Sequence, residues 1–240
     1  MVDIKHYLIV TTAYWGFTLT DGALRMLVLL HFHTLGYTPL ELAFLFLLYE
    51  FFGVVTNLLA GWIGSRFGLK LTLYSGLGIQ IFALWMLSML DPTWGKVLAV
   101  IFVIGAQGLS GIAKDLTKMS SKSAIKLMIP SDAHSTLFKW VALLTGSKNA
   151  LKGIGFFMGT ALLTSLGFEQ ALWAMAASLF VILIASCSLL PSGIGRAKAK
   201  VKFTKLLSKT RAINLLSAAR FFLFGARDVW FVVGVPIFLH

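Results

Sequence analysis

The chain has 240 residues, of which 58% are hydrophobic and only 12% are charged, and its net charge is +12. Its mean hydropathy is +0.86, whereas about a quarter of the residues in a soluble domain are usually charged. This composition excludes an ordinary soluble domain. Apolar stretches near the length of a bilayer crossing recur along the chain, so the sequence predicts an integral membrane protein.

Seven transmembrane helices are predicted. They cover residues 6–31, 40–64, 69–90, 96–121, 136–166, 168–190 and 211–239. The first is a poor signal peptide, because Asp21 and Arg25 interrupt its apolar part and no small-residue cleavage site follows. We therefore expect it to be retained as a span.

Positive charge alternates between the loops. Lys and Arg lie at the N-terminus and in every second loop, including Arg66, Lys70 and the basic run 196–211, whereas the opposite loops contain only Lys96. By the positive-inside rule this places the N-terminus in the cytoplasm. Because topology accounts for the basic loops, we expect the lipid bilayer as a partner and no nucleic acid. The expected location is the cytoplasmic (inner) membrane of a bacterium.

Loop lengths predict the organisation of the chain. Short loops join the first six spans, so residues 1–190 are expected to form one six-helix bundle, followed by a basic cytoplasmic linker at 191–210. The seventh span, within 211–240, contains "FFLFGARDVWFVV", which echoes "FTLTDGALRMLVLL" of the first. Two six-helix halves joined by a basic loop resemble the major facilitator superfamily (MFS). The expected fold is an all-α MFS-type bundle, with the chain a fragment of a twelve-helix transporter.

The loop between the second and third spans carries a motif that supports this resemblance. "GWIGSRFGLKLTL" is similar to the superfamily signature Gly-x-Leu-x-Asp-Arg-x-Gly-x-Lys at its cytoplasmic gate. Ser65 stands where the family has Asp, so the charge pairing of that gate is incomplete. The matching residues are Gly61, Arg66, Gly68 and Lys70.

Gly155 and Gly159 of the fifth span have small-xxx-small spacing. Small residues at this spacing let the backbones of two membrane helices approach closely. The pair therefore predicts tight helix packing at this point of the bundle.

The fourth span continues into a stripe of lysines. "GIAKDLTKMSSKSAIKL" has a lysine at every fourth position, Lys114, Lys118, Lys122 and Lys126. Successive lysines lie about 40° apart around a helix. A cation at the centre of a lipid-facing helix costs about 2.5–3.5 kcal/mol, so cations in the spans are expected to face the bundle interior. The cations within or near the spans are Arg25, Lys114, Lys118, Lys148, Lys152, Arg220 and Arg227.

These seven cations outnumber the intramembrane acids, so the bundle interior is predicted to bind an anion. Asp21 and Arg25 can pair at i, i+4 spacing, but even full pairing with four acids leaves three cations. No cofactor and no metal is expected. The predicted substrate-binding residues are Arg25, Lys114, Lys118, Ser121, Lys148, Asn149, Lys152, Arg220 and Arg227. The candidates for proton coupling are Asp21, Glu50, Asp115 and Asp228.

Longer stretches resemble one family within the superfamily, the ArsJ organoarsenical efflux permeases. They are "AYWGFTLTDGALRMLVLLHFHTLGY", "SGIAKDLTKMSSKSAIK", "LTGSKNALKG" and "INLLSAARFFLFGARDVWF". The resemblance implies export of 1-arseno-3-phosphoglycerate. We expect alternating access, and the intramembrane acids beside cations suggest coupling to protons, as in an antiporter. The resemblance also implies arsenate resistance and a metabolic link to glyceraldehyde-3-phosphate dehydrogenase, which forms this compound when arsenate replaces phosphate.

Three other functions stay open at this point. Charge alone fits a permease for ordinary organic phosphates or other organic anions equally well. A polytopic membrane enzyme would need a nucleophile with a base, a metal cluster or paired carboxylates, and the sequence offers no such pattern. A structural or receptor role predicts neither flux nor conversion. We expect a transporter rather than an enzyme.

Overall fold

The computed structural model describes residues 4–128, 134–190 and 210–228, together with residues 230, 234, 235 and 238. Within these residues the chain is helical and contains no β-strand, which confirms the expected all-α fold. The helices are α1 (Ile4–Thr34), α2 (Pro39–Leu45), α3 (Leu47–Phe67), α4 (Leu69–Ser88), α5 (Lys96–Met128), α6 (His134–Leu166), α7 (Phe168–Leu189) and α8 (Arg211–Asp228).

The second predicted span, residues 40–64, corresponds to α2 and α3, which a single residue separates. The stretch Pro39–Asn57 within them is long and apolar enough to cross a membrane. Phe46 stands between them, and its N–H bonds to the carbonyl of Ala43, three residues back. This tighter turn interrupts the regular i to i−4 pattern without a proline or glycine. Leu45 and Phe46 are both buried here. The turn at Phe46 therefore lies within the packed core of the bundle.

Local signals explain where several helices begin and end. Thr38 caps α2 in a reciprocal capping box with Glu41, and Pro39 opens the helix, where its missing N–H costs nothing. Gly68 reverses the chain between α3 and α4 with φ +86°, and Gly167 does so between α6 and α7 with φ +81°. Only glycine adopts these angles without strain.

Helices α1 and α5 form the centre of the bundle. Helix α1 packs against α5, α6 and α7, whereas α5 also packs against α3 and α4, and α4 packs against α7. Their shared core is made of fully buried apolar side chains such as Phe17, Leu27, Leu77, Leu84 and Leu172. This arrangement places α1 directly beside α5 and α6, and the first turn of α3 reaches α1 through Tyr49 and Glu50.

The predicted close packing of the fifth span is confirmed, and the partner is α1. A Cβ on Gly155 would lie 2.6 Å from the carbonyl oxygen of Leu19 and 3.2 Å from the Cα of Gly22. Gly159 likewise lies against the main chain of Ala23. The two backbones approach because no side chain separates them.

The outside of the bundle is apolar, as expected for a surface that faces lipid. Phe138, Phe157 and Val181 are each more than 60% exposed. Four stretches are helical, long and apolar enough to cross a membrane: Pro39–Asn57, Leu69–Ser88, Lys96–Ala124 and Phe168–Leu189. Helices α1 and α6 are as long, and they carry the charges described next.

The predicted division of the chain is only partly covered by the described residues. Residues 1–3, 129–133 and 191–209, which include almost all of the predicted linker, lie outside them. Helix α8 begins at Arg211, and its side chains at 211–219 are exposed. The boundary at residue 190 and the assignment of the seventh span to a second half stay predictions.

Candidate anion-binding site

Tyr49 of α3 brings together charges from three helices. Its ring is fully buried, and its hydroxyl donates a hydrogen bond to Oδ1 of Asp21 on α1 at 2.5 Å. The guanidinium carbon of Arg25 lies 4.0 Å from the ring centroid, and Nζ of Lys114 on α5 lies 4.1 Å from it. A ring that attracts two cations fixes both of them in place. Sequence reasoning missed Tyr49, although an aromatic residue beside Glu50 in an apolar span was a usable signal.

Glu50 provides the carboxylate for both of these cations. Nη2 of Arg25 donates to Oε1 of Glu50 at 2.5 Å, and Nζ of Lys114 lies 3.6 Å from Oε2. The expectation that Asp21 would be the ion-pair partner of Arg25 is therefore corrected. Tyr49 donates its hydrogen bond to the Asp21 carboxylate, and Glu50 on α3 pairs with the guanidinium of Arg25.

Helix α5 continues the cluster toward Lys118. Nζ of Lys118 donates to Oδ1 of Asp115 at 2.7 Å, and the Asp115 carboxylate is buried. The helix lies close to α3 because both present glycines. A Cβ on Gly53 would meet Oδ2 of Asp115 at 3.0 Å, and one on Gly111 would overlap the main chain of Tyr49.

Lys148 of α6 completes the cluster and is its least compensated member. It interacts electrostatically with Lys118, Lys114 and Lys122, and with one acid, Asp21. Among the described residues, the structure records no hydrogen bond or ion pair to its ammonium group. The adjacent turn of α6 is attached to α1, because Nε1 of Trp15 donates to the hydroxyl of Ser147 at 2.9 Å.

The other predicted site residues lie in different surroundings. Lys152 interacts electrostatically with Glu50, and its Nζ lies 5.8 Å from the ring centroid of Phe156. Ser121 is fully buried and donates to the carbonyl of Thr117 in its own helix, whereas Asn149 is exposed. Arg220, Arg227 and Asp228 lie on α8 with side chains outside the described part of the structure.

The cluster as described has five cations and three acids, and several of its polar atoms are unused. The cations are Arg25, Lys114, Lys118, Lys148 and Lys152, and the acids are Asp21, Glu50 and Asp115. Within the described part of the chain, Nε of Arg25 and the hydroxyl of Tyr14, which interacts electrostatically with Asp21 and Asp115, are buried without a hydrogen-bond partner. Buried donors are normally satisfied. A cationic cluster with spare donors is suited to an oxyanion.

The predicted gating residues connect helices within the bundle. Nζ of Lys70 donates to the carbonyl of Leu190 at 2.5 Å, at the end of α7. This contact places a cation at a helix C-terminus, where the dipole favours it. The guanidinium carbon of Arg66 lies 5.4 Å from the ring centroid of Trp62, and Gly68 forms the turn. Gly61 and Ser65 lie in α3, with no side-chain surroundings described.

Within the part of the chain that the structure describes, no group of three His, Cys, Asp or Glu side chains could hold a metal ion. The described cluster supplies charges and hydrogen-bond donors. These groups can bind and orient an anion, and they can exchange ion-pair partners.

Comparisons with known proteins identify the architecture. No protein-family model matches the chain, and no curated protein matches it. A crystal structure of the peptide transporter POT in complex with sulfate is similar with a TM-score of 0.58 and 13% identity, over 96% of this chain and 46% of that one. A variant of POT, also with sulfate, matches with a TM-score of 0.54 and 15% identity, over 98% and 48%.

The chain thus spans about half the length of the solved structures it matches. Those structures are of transporters rather than enzymes, and they belong to the MFS. The apolar helices and the lipid-facing exterior agree with that architecture. The protein is therefore an integral membrane protein with the helical fold of major facilitator superfamily transporters.

Proposed function

We propose that the protein transports an organic oxyanion across the membrane by alternating access. The observation that carries this proposal is Lys148, whose half-buried ammonium group interacts electrostatically with three other lysines and with only one acid, Asp21. Uncompensated charge inside a membrane protein is costly and marks ion or substrate pathways. The paired cations Arg25, Lys114 and Lys118 extend the same surface, and Lys152 lies beside it.

The specific substrate that we propose is 1-arseno-3-phosphoglycerate, exported to give arsenate resistance. Its carboxylate, phosphate and arsenate groups require cations at separate points, and Arg25, Lys118 and Lys148, which lie on three different helices, are our candidates for them. The solved POT structures contain sulfate, so a related fold accepts a tetrahedral oxyanion. We propose an arsenical substrate, and glyceraldehyde-3-phosphate dehydrogenase as the metabolic partner, because the sequence resembles the ArsJ permeases.

Uptake into everted membrane vesicles tests this function. We expect vesicles containing the protein to accumulate radiolabelled arsenic when arsenate, glyceraldehyde-3-phosphate, NAD and the dehydrogenase are all supplied. Omitting the dehydrogenase should abolish accumulation, since arsenate itself is not the substrate. Parallel assays with 3-phosphoglycerate, phosphate and arsenite define specificity.

Accumulation of 3-phosphoglycerate to the same extent would instead favour a permease for ordinary organic phosphates. Conversion of the supplied compound by purified protein, without flux, would favour a membrane enzyme and contradict the proposal. Carboxylates beside cations are common proton carriers in transporters. We therefore include proton coupling through Asp21, Glu50 or Asp115 in the proposal, with Asp228 as the further candidate on α8.

We also propose the inner membrane of a bacterium as the location, with the N-terminus and the basic segment 191–210 in the cytoplasm. The test is cysteine labelling of intact cells with a membrane-impermeant reagent, in a background where Cys187 is replaced by Ala. A probe at Thr93, in the turn before α5, should be modified, and a probe at Ala199 should not. Labelling of Ala199 alone would reverse the proposed topology.

A further inference from the structure

Glu50 is the acid in the cluster that solvent reaches. Its side chain is 42% exposed, whereas the carboxylates of Asp21 and Asp115 are buried. The cations around it come from three other helices: Arg25 on α1, Lys114 on α5 and, through electrostatic interaction, Lys152 on α6. Glu50 therefore lies at the solvent-accessible edge of this group of cations, where a bound anion could take over its pairing with Arg25.

Glu50 does not use all of the hydrogen-bond donors that Arg25 and Lys114 place around it. One carboxylate oxygen accepts from Nη2 of Arg25 at 2.5 Å, but the other lies 3.6 Å from Nζ of Lys114, beyond a good hydrogen bond. Nε of Arg25 is buried and has no partner within the described residues. A guanidinium can donate through two nitrogens to one oxyanion. The donors around Glu50 thus suit a group with more oxygens than a carboxylate.

We infer that Glu50 is a tethered counter-anion: its carboxylate occupies the Arg25–Lys114 part of the anion site, and a tetrahedral oxyanion displaces it on binding. This inference rests on the proposed function and names the residue that opposes substrate at that site. While Glu50 is bound, the two cations are compensated and held against the Tyr49 ring. An incoming phosphate or arsenate group must replace it, so Glu50 lowers affinity and favours polyanions over weakly charged anions.

The test is whether each of two substitutions lowers or raises the dissociation constant for 3-phosphoglycerate. Binding to the full chain in detergent is measured by isothermal titration calorimetry. Glu50→Gln removes the competing charge and keeps the size, so the dissociation constant should fall about tenfold, equivalent to about 1.4 kcal/mol. Lys114→Gln should raise the dissociation constant by a similar factor. Glu41→Gln is the matched control, because Glu41 pairs with Lys96 at 2.7 Å near the α1–α2 turn and Gln can still serve the capping box.

The outcomes separate this inference from the proposed function. If both Glu50→Gln and Lys114→Gln weaken binding in variants that unfold at the parental temperature, the pair is a binding or structural unit and Glu50 is not a competitor. If the parent binds and Glu50→Gln binds equally well, the inference fails while the anion site stands. If neither the parent nor Glu50→Gln binds 3-phosphoglycerate or sulfate, the anion site itself is overturned, and the inference with it.

Discussion

Replacing Lys148 with Ala should weaken binding of 3-phosphoglycerate by roughly 10- to 150-fold. The estimate follows from the loss of one charge-assisted contact in a dehydrated site, which contributes about 1.5–3 kcal/mol. Lys148→Glu should be worse than Lys148→Ala, because the new carboxylate would repel the substrate. Titration calorimetry on the purified variants measures both effects.

Lys148 is a cleaner test of the site than Lys118. Removing Lys118 leaves the buried carboxylate of Asp115 without its 2.7 Å partner, and an unpaired buried charge destabilises the fold. The ammonium of Lys148 has no such partner among the described residues and faces three lysines. Lys148→Ala should therefore keep or raise the unfolding temperature while it weakens binding.

The matched control is Lys139→Ala, a substitution of an exposed lysine on the same helix. It should leave both affinity and unfolding temperature unchanged. Parental affinity in Lys148→Ala, together with an intact fold, would show that the lysine cluster only anchors the helices and that the anion site lies elsewhere.

Replacing Gly155 with Ala should destabilise the protein, because α6 lies directly on the backbone of α1 at this point. The new Cβ would meet the carbonyl oxygen of Leu19 at 2.6 Å and the amide nitrogen of Ala23 at 3.2 Å. Both are main-chain atoms that cannot turn aside, so the helices must separate. Overpacking of this kind costs about 1–3 kcal/mol, which corresponds to a fall of about 2–12 °C in the unfolding temperature.

Gly153→Ala is the control for this prediction. Gly153 lies two residues away on the same helix, and a Cβ there would meet nothing within 4 Å. Because Ala favours the helix by about 1 kcal/mol over Gly, the unfolding temperature of Gly153→Ala should stay the same or rise. Equal stability of the two variants, measured by thermal unfolding in detergent, would contradict the close α1–α6 contact.

Gly155→Ala should also weaken anion binding. Lys152 and Lys148 lie about one and two turns away on α6, respectively, and both interact electrostatically with charges of the site. A displacement of α6 from α1 moves both ammonium groups relative to Arg25. A variant that is destabilised but binds with parental affinity would show that the site does not depend on this contact.

The sequence by itself determined the class of protein and the position of most helices. Hydropathy is a local property, so the apolar stretches predict spans wherever they occur, and α4, α5, α6 and α7 lie close to their predicted ranges. The cost of charge in lipid is equally local, which is why Arg25 and Lys148 could be identified as interior groups. The spacing of Gly155 and Gly159 predicted a close helix contact but not its partner.

Only the tertiary structure decided which groups meet. Spacing on one helix suggested a pair between Asp21 and Arg25, yet Arg25 binds Glu50 and Asp21 accepts from Tyr49. Each partner depends on how far a neighbouring helix is rotated and how it is shifted along its axis. The packing of the whole bundle sets these rotations and shifts, and the close backbone contacts at Gly111 and Gly155 are part of that packing.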